Sequence, residues 1–379
     1  MSWPGRRSCF AAWLILLVLS HNQTKAQSVE TWEAAPPGVE KPGTIPQPTT
    51  AAVSVAAEQT PADTRGAWPV AAALVIGPIA HGAGHFVAGQ QRTALRLLAA
   101  EGIGLLAIAG AVGGLALTGA SEKTVVPLAG LAAFGAGLFA TSLLADVYGV
   151  VAPSGGFGQA VLRPALVAEA GVFGVIDPVF DYDALAYLGG RAFLGRHSLS
   201  LQGYVGIDHD NQRLHGMYAY RFYERDAVTY LELALGAVHH RFAPEHFSTS
   251  FAEAALSGRL GLEHIGRTLQ GAFMEGALGL AFGAHRYFGA ATESDSLLLL
   301  RIGFGFVIGD GGSWTVYYDH RHDDYAAGLK MSGLGSGVLG HFGTALQCYL
   351  APQWGVAVRA ETGSAHVVGL SLLFRRKRW

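Results

Sequence analysis

Between Leu298 and Ile308 every even position is large and apolar (Leu298, Leu300, Ile302, Phe304, Phe306, Ile308), while the odd ones include Arg301, Gly303 and Gly305, with Gly309 following. Successive side chains of a strand point to opposite faces, so a period of two kept this long makes one face apolar and leaves the other polar or bare. Similar stretches recur to the carboxyl end, separated by turn-forming residues. Large apolar groups on one side against Gly, Ser, Glu and Arg on the other fit a transmembrane barrel better than a soluble sandwich.

Alternation and turn signals place strands near 162–175, 184–194, 197–207, 212–224, 227–241, 249–264, 267–287, 296–309, 313–322, 337–350, 353–362 and 364–375, about 12 in all. Single-chain bacterial barrels have even strand numbers and spans of about 9 to 11 residues, which sets residues 156–379 at about 10 to 14 strands. Where alternation is clean it also assigns faces. Leu231, Leu233 and Leu235 should face lipid, with Tyr230 and Glu232 inward. Leu256, Leu260 and Leu262 should face lipid opposite Glu253, Arg259 and Glu263, and Val356 and Val358 opposite Arg359 and Glu361. The lumen then carries both signs of charge and can fill itself with ion pairs, which argues against a wide aqueous pore.

The amino terminus supports an envelope address. Arg6 and Arg7 precede an apolar run from Phe10 to Leu19, and Thr24-Lys25-Ala26 suits signal cleavage before Gln27, so residues 1–26 read as a signal peptide. Cys9 leaves with the signal, and a chain retaining Cys348 alone forms no internal disulfide. Residues 27–66 are rich in Pro, Ala, Thr and Glu and read as a disordered periplasmic linker, too poor in apolar surface to offset the entropy of ordering. The whole chain is 50% hydrophobic and only 14% charged, in agreement with a membrane protein. Its net charge of −2 is uninformative, and no basic tract argues for nucleic acid as a partner.

Residues 67–152 form an Ala/Gly-rich hydrophobic region. Leu97–Thr118 holds 22 residues with one charge, Glu101, and Val125–Leu144 holds 20 with none; each meets the length of a membrane-spanning helix. The turn Ser121-Glu122-Lys123-Thr124 between them allows only an antiparallel hairpin, with Pro127 in the first turn of the second helix. Gly110 and Gly114 have the spacing that lets helices approach closely. Such helices stop transfer at an inner membrane, whereas a barrel must cross the periplasm. Two placements therefore stand: packed against the barrel or outer membrane, or anchored in the inner membrane with 27–66 as a tether.

Three clusters could carry chemistry. Tyr317-Tyr318-Asp319-His320-Arg321-His322-Asp323-Asp324-Tyr325 delivers two histidines and several carboxylates from one strand end toward a barrel rim. Over about nine residues it resembles the His-x-Ser-Asn stretch of outer-membrane lipid A deacylases and outer-membrane phospholipases; His320 matches their general base, but His322 stands where their nucleophilic Ser would be and Asp323 where their Asn would be. Without that hydroxyl, a polar rim held by hydrogen bonds is the plainer reading, and metal-assisted hydrolysis through His320, His322, Asp323 and Asp324 the sharper one. His81 and His85 have zincin spacing without the following Glu; they read as metal ligands or, more simply, as side chains that bridge packed helices. His239-His240 with Glu245 and His246 form a third group, of a kind expected among 15 histidines.

The carboxyl-terminal alternation His366, Val368, Leu370, Leu372, Phe374 resembles the terminal strand that barrel-assembly machinery reads, although Arg375-Arg376-Lys377-Arg378-Trp379 follow it. In organisation the chain resembles outer-membrane β-barrel proteins of diderm bacteria. That resemblance implies outer-membrane lipid and the assembly machinery as partners, with no cofactor beyond a divalent metal at most. Three functions stand: a non-enzymatic structural, adhesive or assembly element of the envelope, a lipid acyl hydrolase, and a narrow channel or transporter.

Overall fold

The structure is a computed structural model. It describes residues 66–119, 122–152, 155–160, 163–178, 183–242, 246–287, 289, 291–326, 329–331 and 335–376. The signal peptide and nearly all of the linker lie outside the described residues.

Four helices come first: α1 (Ala67–Val75), α2 (Ala83–Val87), α3 (Gln91–Thr118) and α4 (Glu122–Val151). A two-residue strand, β1 (Gly158–Gln159), leads to β2 (Leu166–Ile176), β3 (Ala184–Leu194), β4 (His197–Gly206), β5 (Gln212–Glu224), β6 (Tyr230–Phe242), β7 (Phe247–Gly261), β8 (Ala272–Tyr287), β9 (Glu293–Asp310) and β10 (Gly312–Asp319). A small hairpin, β11 (Leu329–Met331) and β12 (Gly335–Leu339), precedes β13 (His341–Tyr349), β14 (Trp354–Thr362) and β15 (His366–Arg376).

Strands β2 to β10 with β13 to β15 each pair antiparallel with the next, and β15 pairs with β2 from His366↔Ile176 to Arg376↔Leu166, closing a barrel of 12 strands. Closure removes both sheet edges, the condition for a sheet to lie in lipid. β1 adds two parallel residues to the end of β9, Gly158↔Gly309 and Gln159↔Asp310. The rim where β2 begins and β15 ends is the terminal rim. The opposite one, which carries the longest connection, 320–340, is the loop rim.

The assigned faces hold along the regular strands. Leu231, Leu233, Leu235, Leu256, Leu260 and Val358 are exposed on the outer wall, while Glu232 pairs inward with Arg191 and Arg221, and Arg259 with Glu275. Leu262 and Glu263 depart from the expectation. β7 stops at Gly261, Leu262 begins a 3-10 turn and is buried, and Glu263 points to solvent. The 267–269 segment is likewise a 3-10 turn, so β8 starts later than alternation implied.

The apolar helices do form an antiparallel hairpin, longer than read from hydropathy because α4 begins at Glu122 and reaches Val151. Pro127 therefore sits in the second turn, not the first, and removes one interior hydrogen bond. The crossing is also not at Gly110, which faces open space; Gly104 and Gly135 meet, and a Cβ on either would come within 2.7 Å of the other's carbonyl oxygen. Gly114 rests instead on Leu128.

The hairpin packs on the outer wall of β9. A Cβ at Gly137 would strike the Ile302 side chain, and Tyr148 meets Phe304 and Phe306 edge-on or tilted at 6.4 and 5.2 Å. Leu300, Ile302 and Phe304 are consequently buried on a face whose counterparts on β8, Leu278, Leu280 and Phe282, are exposed. Near the terminal rim Leu97, Ala145, Tyr148, Leu262, Leu269 and Phe304 make one core shared by helices and barrel.

Candidate functional site

Two polar clusters are built into this frame, one in the lumen and one beneath the hairpin. The lumen cluster arises where β10 ends. Asp319 accepts the Arg321 backbone N–H and turns the chain, and Asp324 accepts that of Tyr325; such carboxylate-capped turns are intrinsic to Asp. The segment 320–326 thereby folds back into the mouth of the barrel.

Arg321 donates to Glu253 on β7 and, at 2.5 Å, to Asp323. Arg213 on β5, almost fully buried, faces Asp323 at 3.8 Å and Asp324 at 3.6 Å. Tyr325 donates to Asn211 at 2.7 Å, and the His240 ring approaches the same oxygen at 3.1 Å. The Tyr325 ring packs on Tyr204 and His240, and with Ala326 it joins the inward cluster of Phe173, Val175, Leu185, Tyr187 and Val367. A charged and aromatic segment thus spans the lumen from β10 to the walls of β5 to β7 and β2 to β4.

Below it the interior is filled by further pairs. Arg301 bridges Glu275 and Asp319 and lies 3.8 Å over the Tyr317 ring. Tyr317 donates to Glu361 at 2.5 Å, and Arg359 reaches Tyr204 and Glu169.

The four residues of the rim motif take separate parts. Tyr318 accepts from the Gly340 N–H and shares a 2.8 Å hydrogen bond with His320 Nδ1, whose ring lies 4.7 Å from that of His322. His322 Nδ1 is buried without a hydrogen-bond partner among the described residues. Burial, reinforced by His320, depresses the His322 imidazole to about 4, and burial lowers His320 as well. Desolvation would raise the Asp324 carboxyl, but Arg213, with His341 and Arg321, outweighs it and holds it well below the usual range. Both carboxylates are occupied by guanidinium groups. The run does not stop at the rim to which the strand end delivers it but turns inward.

His81 and His85 are brought together under the hairpin by Glu101, Ser142 and Asp146. The His81 N–H donates to Glu101, and its Nδ1 lies 2.6 Å from the Ser142 hydroxyl. Asp146 accepts the backbone N–H groups of Gly84 and His85 and, at 2.6 Å, pairs with His85 Nδ1, while His85 Nε2 meets Thr268 in the β7–β8 turn. The arrangement bridges α2, α4 and the barrel. Among the described residues one group has three ligand atoms within 4.8 Å of one another, Asp226, Glu263 and His264; it lies at the terminal rim, and Asp226 already accepts from Val228 and Thr229.

A closed antiparallel sheet with an apolar outer belt and a charged interior decides the architecture. The chain has the fold of an outer-membrane β-barrel. No family model and no curated protein sequence matches it. Similar solved structures include the KdgM porin (8% identity, TM-score 0.36, covering 55% of this chain and 98% of that one). The Omp33 outer membrane protein of Acinetobacter baumannii is another (12%, 0.30, 56% and 99%), as is phospholipase A of Escherichia coli (11%, 0.34, 57% and 94%).

Sequence reasoning did not single out Arg213, Asn211, Asp146 or Ser142. Arg213 had a signal in its inward parity on β5 beside Leu214 and Tyr218; the others had none, because their importance comes from segments far away in the chain.

Proposed function

We propose that this protein is a sealed, non-enzymatic scaffold of the outer membrane, whose barrel carries a helical hairpin on its wall and through it ties the amino-terminal segment to the membrane. The terminal rim, with its short β3–β4 and β9–β10 turns, faces the periplasm in this reading, as short turns do in outer-membrane barrels. The observation that carries it is the seating of 320–326 in the lumen by Arg213, Arg321 and Tyr325. A buried ion pair that loses one partner leaves an uncompensated charge worth about 3 to 5 kcal/mol, so this segment is held, not loosely draped.

The hairpin supports the scaffold role. Its uncovered side chains include Leu105, Leu106, Val112, Leu117, Leu131 and Phe134, and α3 and α4, 28 and 30 residues long, exceed the roughly 20 residues a hydrocarbon core requires. An apolar surface continuous with the barrel belt is at home in the same bilayer.

Planar-bilayer recording tests the proposal. The purified protein is expected to give no discrete conductance steps, and Arg213→Ala is expected to produce them by releasing the segment. Steps in the unaltered protein would establish a channel instead. Fatty-acid release that disappears in His320→Ala, at unchanged membrane abundance, would establish a lipid hydrolase.

A further inference from the structure

Outside the lumen the barrel holds a second set of cations, and these have no carboxylate partner among the described residues. In register, Arg241 of β6 stands opposite Ser248 of β7, and Ser248 opposite Arg286 of β8. The parity is that of the lipid-facing residues: Arg241 follows Leu231, Leu233 and Leu235 along β6, and Arg286 follows Leu278, Leu280 and Phe282 along β8. The row therefore faces outward. One step nearer the belt lies His239, whose Nδ1 is 2.8 Å from Ser250 Oγ.

Height matters as much as direction. Arg286 stands four positions beyond Phe282; at about 3.3 Å per residue and a tilt near 40° that is roughly 10 Å above the apolar belt. Headgroups occupy that level, at the loop rim. The two arginines are two strands apart, about 9.5 Å at the usual strand spacing, so their long side chains can converge on an anion over Ser248. A cleft of about 440 Å³ opens here, lined by His239, Arg241, His246, Ser248 and Arg286. The neighbouring Phe242 and Phe247 rings stack at 4.1 Å and stiffen its wall.

Charge balance points the same way. The inward arginines 213, 221, 259, 301, 321 and 359 each face a carboxylate. Arg241 and Arg286 face none among the described residues. Planar, bidentate guanidinium groups suit phosphate oxygens, and outward cations at headgroup height draw their counter-charge from the membrane.

We propose that Arg241 and Arg286, with His239 and Ser248, form a binding site for the phosphate-bearing headgroup of a lipid in the leaflet at the loop rim. The site rests on the barrel spanning a bilayer, not on its lumen being sealed.

The test uses the full protein in neutral detergent micelles doped with a bisphosphorylated glucosamine lipid or with the same lipid after dephosphorylation, and measures lipid retained per protein. Charge-assisted contacts of about 1.5 to 3 kcal/mol correspond to roughly ten- to hundredfold in affinity. The phosphorylated lipid is expected to bind at least about tenfold more tightly than its counterpart, and Arg241→Gln with Arg286→Gln to abolish that difference. Arg241→Lys should keep part of it, because the charge stays while the fork is lost. Equal retention of the two lipids, or an unaltered preference in the double variant, would overturn the proposal. Complete displacement by millimolar inorganic phosphate would assign the site to the free anion and overturn it as a lipid site. A heat-modifiability gel on each variant separates a lost barrel from a lost lipid preference.

Discussion

Asp146 and His85 share a 2.6 Å hydrogen bond between side chains that are both fully shielded from solvent, and the same carboxylate accepts the backbone N–H groups of Gly84 and His85. Through His85 Nε2 and Thr268 the contact continues into the barrel. Asp146→Ala strands three donors at once and is expected to cost about 3 to 5 kcal/mol. The loss should fall on the helical unit first. Limited proteolysis should cut within 76–90 in the variant while the barrel keeps its heat-modifiable mobility; coincident loss of both would show that hairpin and barrel fold as one unit.

The Gly104–Gly135 crossing offers a paired test. Gly104→Val pushes a side chain against the Gly135 carbonyl and should cost about 1 to 3 kcal/mol by overpacking. Gly110→Val enters open space and should be nearly neutral. Crosslinking of cysteine pairs placed across α3 and α4 reads the difference. Equal yields in the two variants would contradict this crossing.

Outer-wall positions divide by what covers them. Leu280→Arg puts a cation on the exposed belt and should reduce insertion, at about 2 to 4 kcal/mol near mid-bilayer. Ile302→Arg places it under α4 beside Gly137, and the hairpin should leave β9 as well. A disulfide trap between α4 and β9 would then fail in Ile302→Arg and still form in whatever Leu280→Arg protein reaches the membrane.

Much of the barrel was legible because alternation is a local property. Leu231, Glu232 and Leu233 announce their faces without reference to any other strand. Parity does not say what covers a face, so Leu300, Ile302 and Phe304 read as lipid-facing while the structure lays α4 over them. The same limit applies at Leu262, where hydrophobicity continued past the end of β7 into a turn that packs on the helices. In the lumen, His320 to Asp324 could be found as a polar run but not aimed. Its direction is set by Arg213 and Glu253, two strands apart on the far wall, and no local pattern encodes that meeting.

The seated segment should also respond to pH. His322 is held near about 4, below the ~6.5 of a free imidazole. Above about 6.5 the imidazole is neutral whether the segment is seated or released; between there and about 4 the released form binds a proton that the seated form refuses, so seating weakens as pH falls. Asp324 acts lower still: its depressed carboxyl stabilises seating above the unfolded value of about 3.9, and that contribution fades as pH drops through the folded one. Protease cleavage within 320–326 should therefore rise between about pH 6.5 and 4, and His322→Gln should flatten the rise. A pH-independent cleavage rate would refute this account.

The docking of α4 on β9 also orders events in time. The hairpin emerges early, yet the wall it covers is made of residues 293–310 and exists only after β2 to β8 have preceded it. In the interval Gly137 has no Ile302 to meet, and the apolar sides of two helices stand uncovered. Between synthesis of the hairpin and synthesis of β9 the apolar sides of the helices must therefore be shielded by something other than the wall they finally cover.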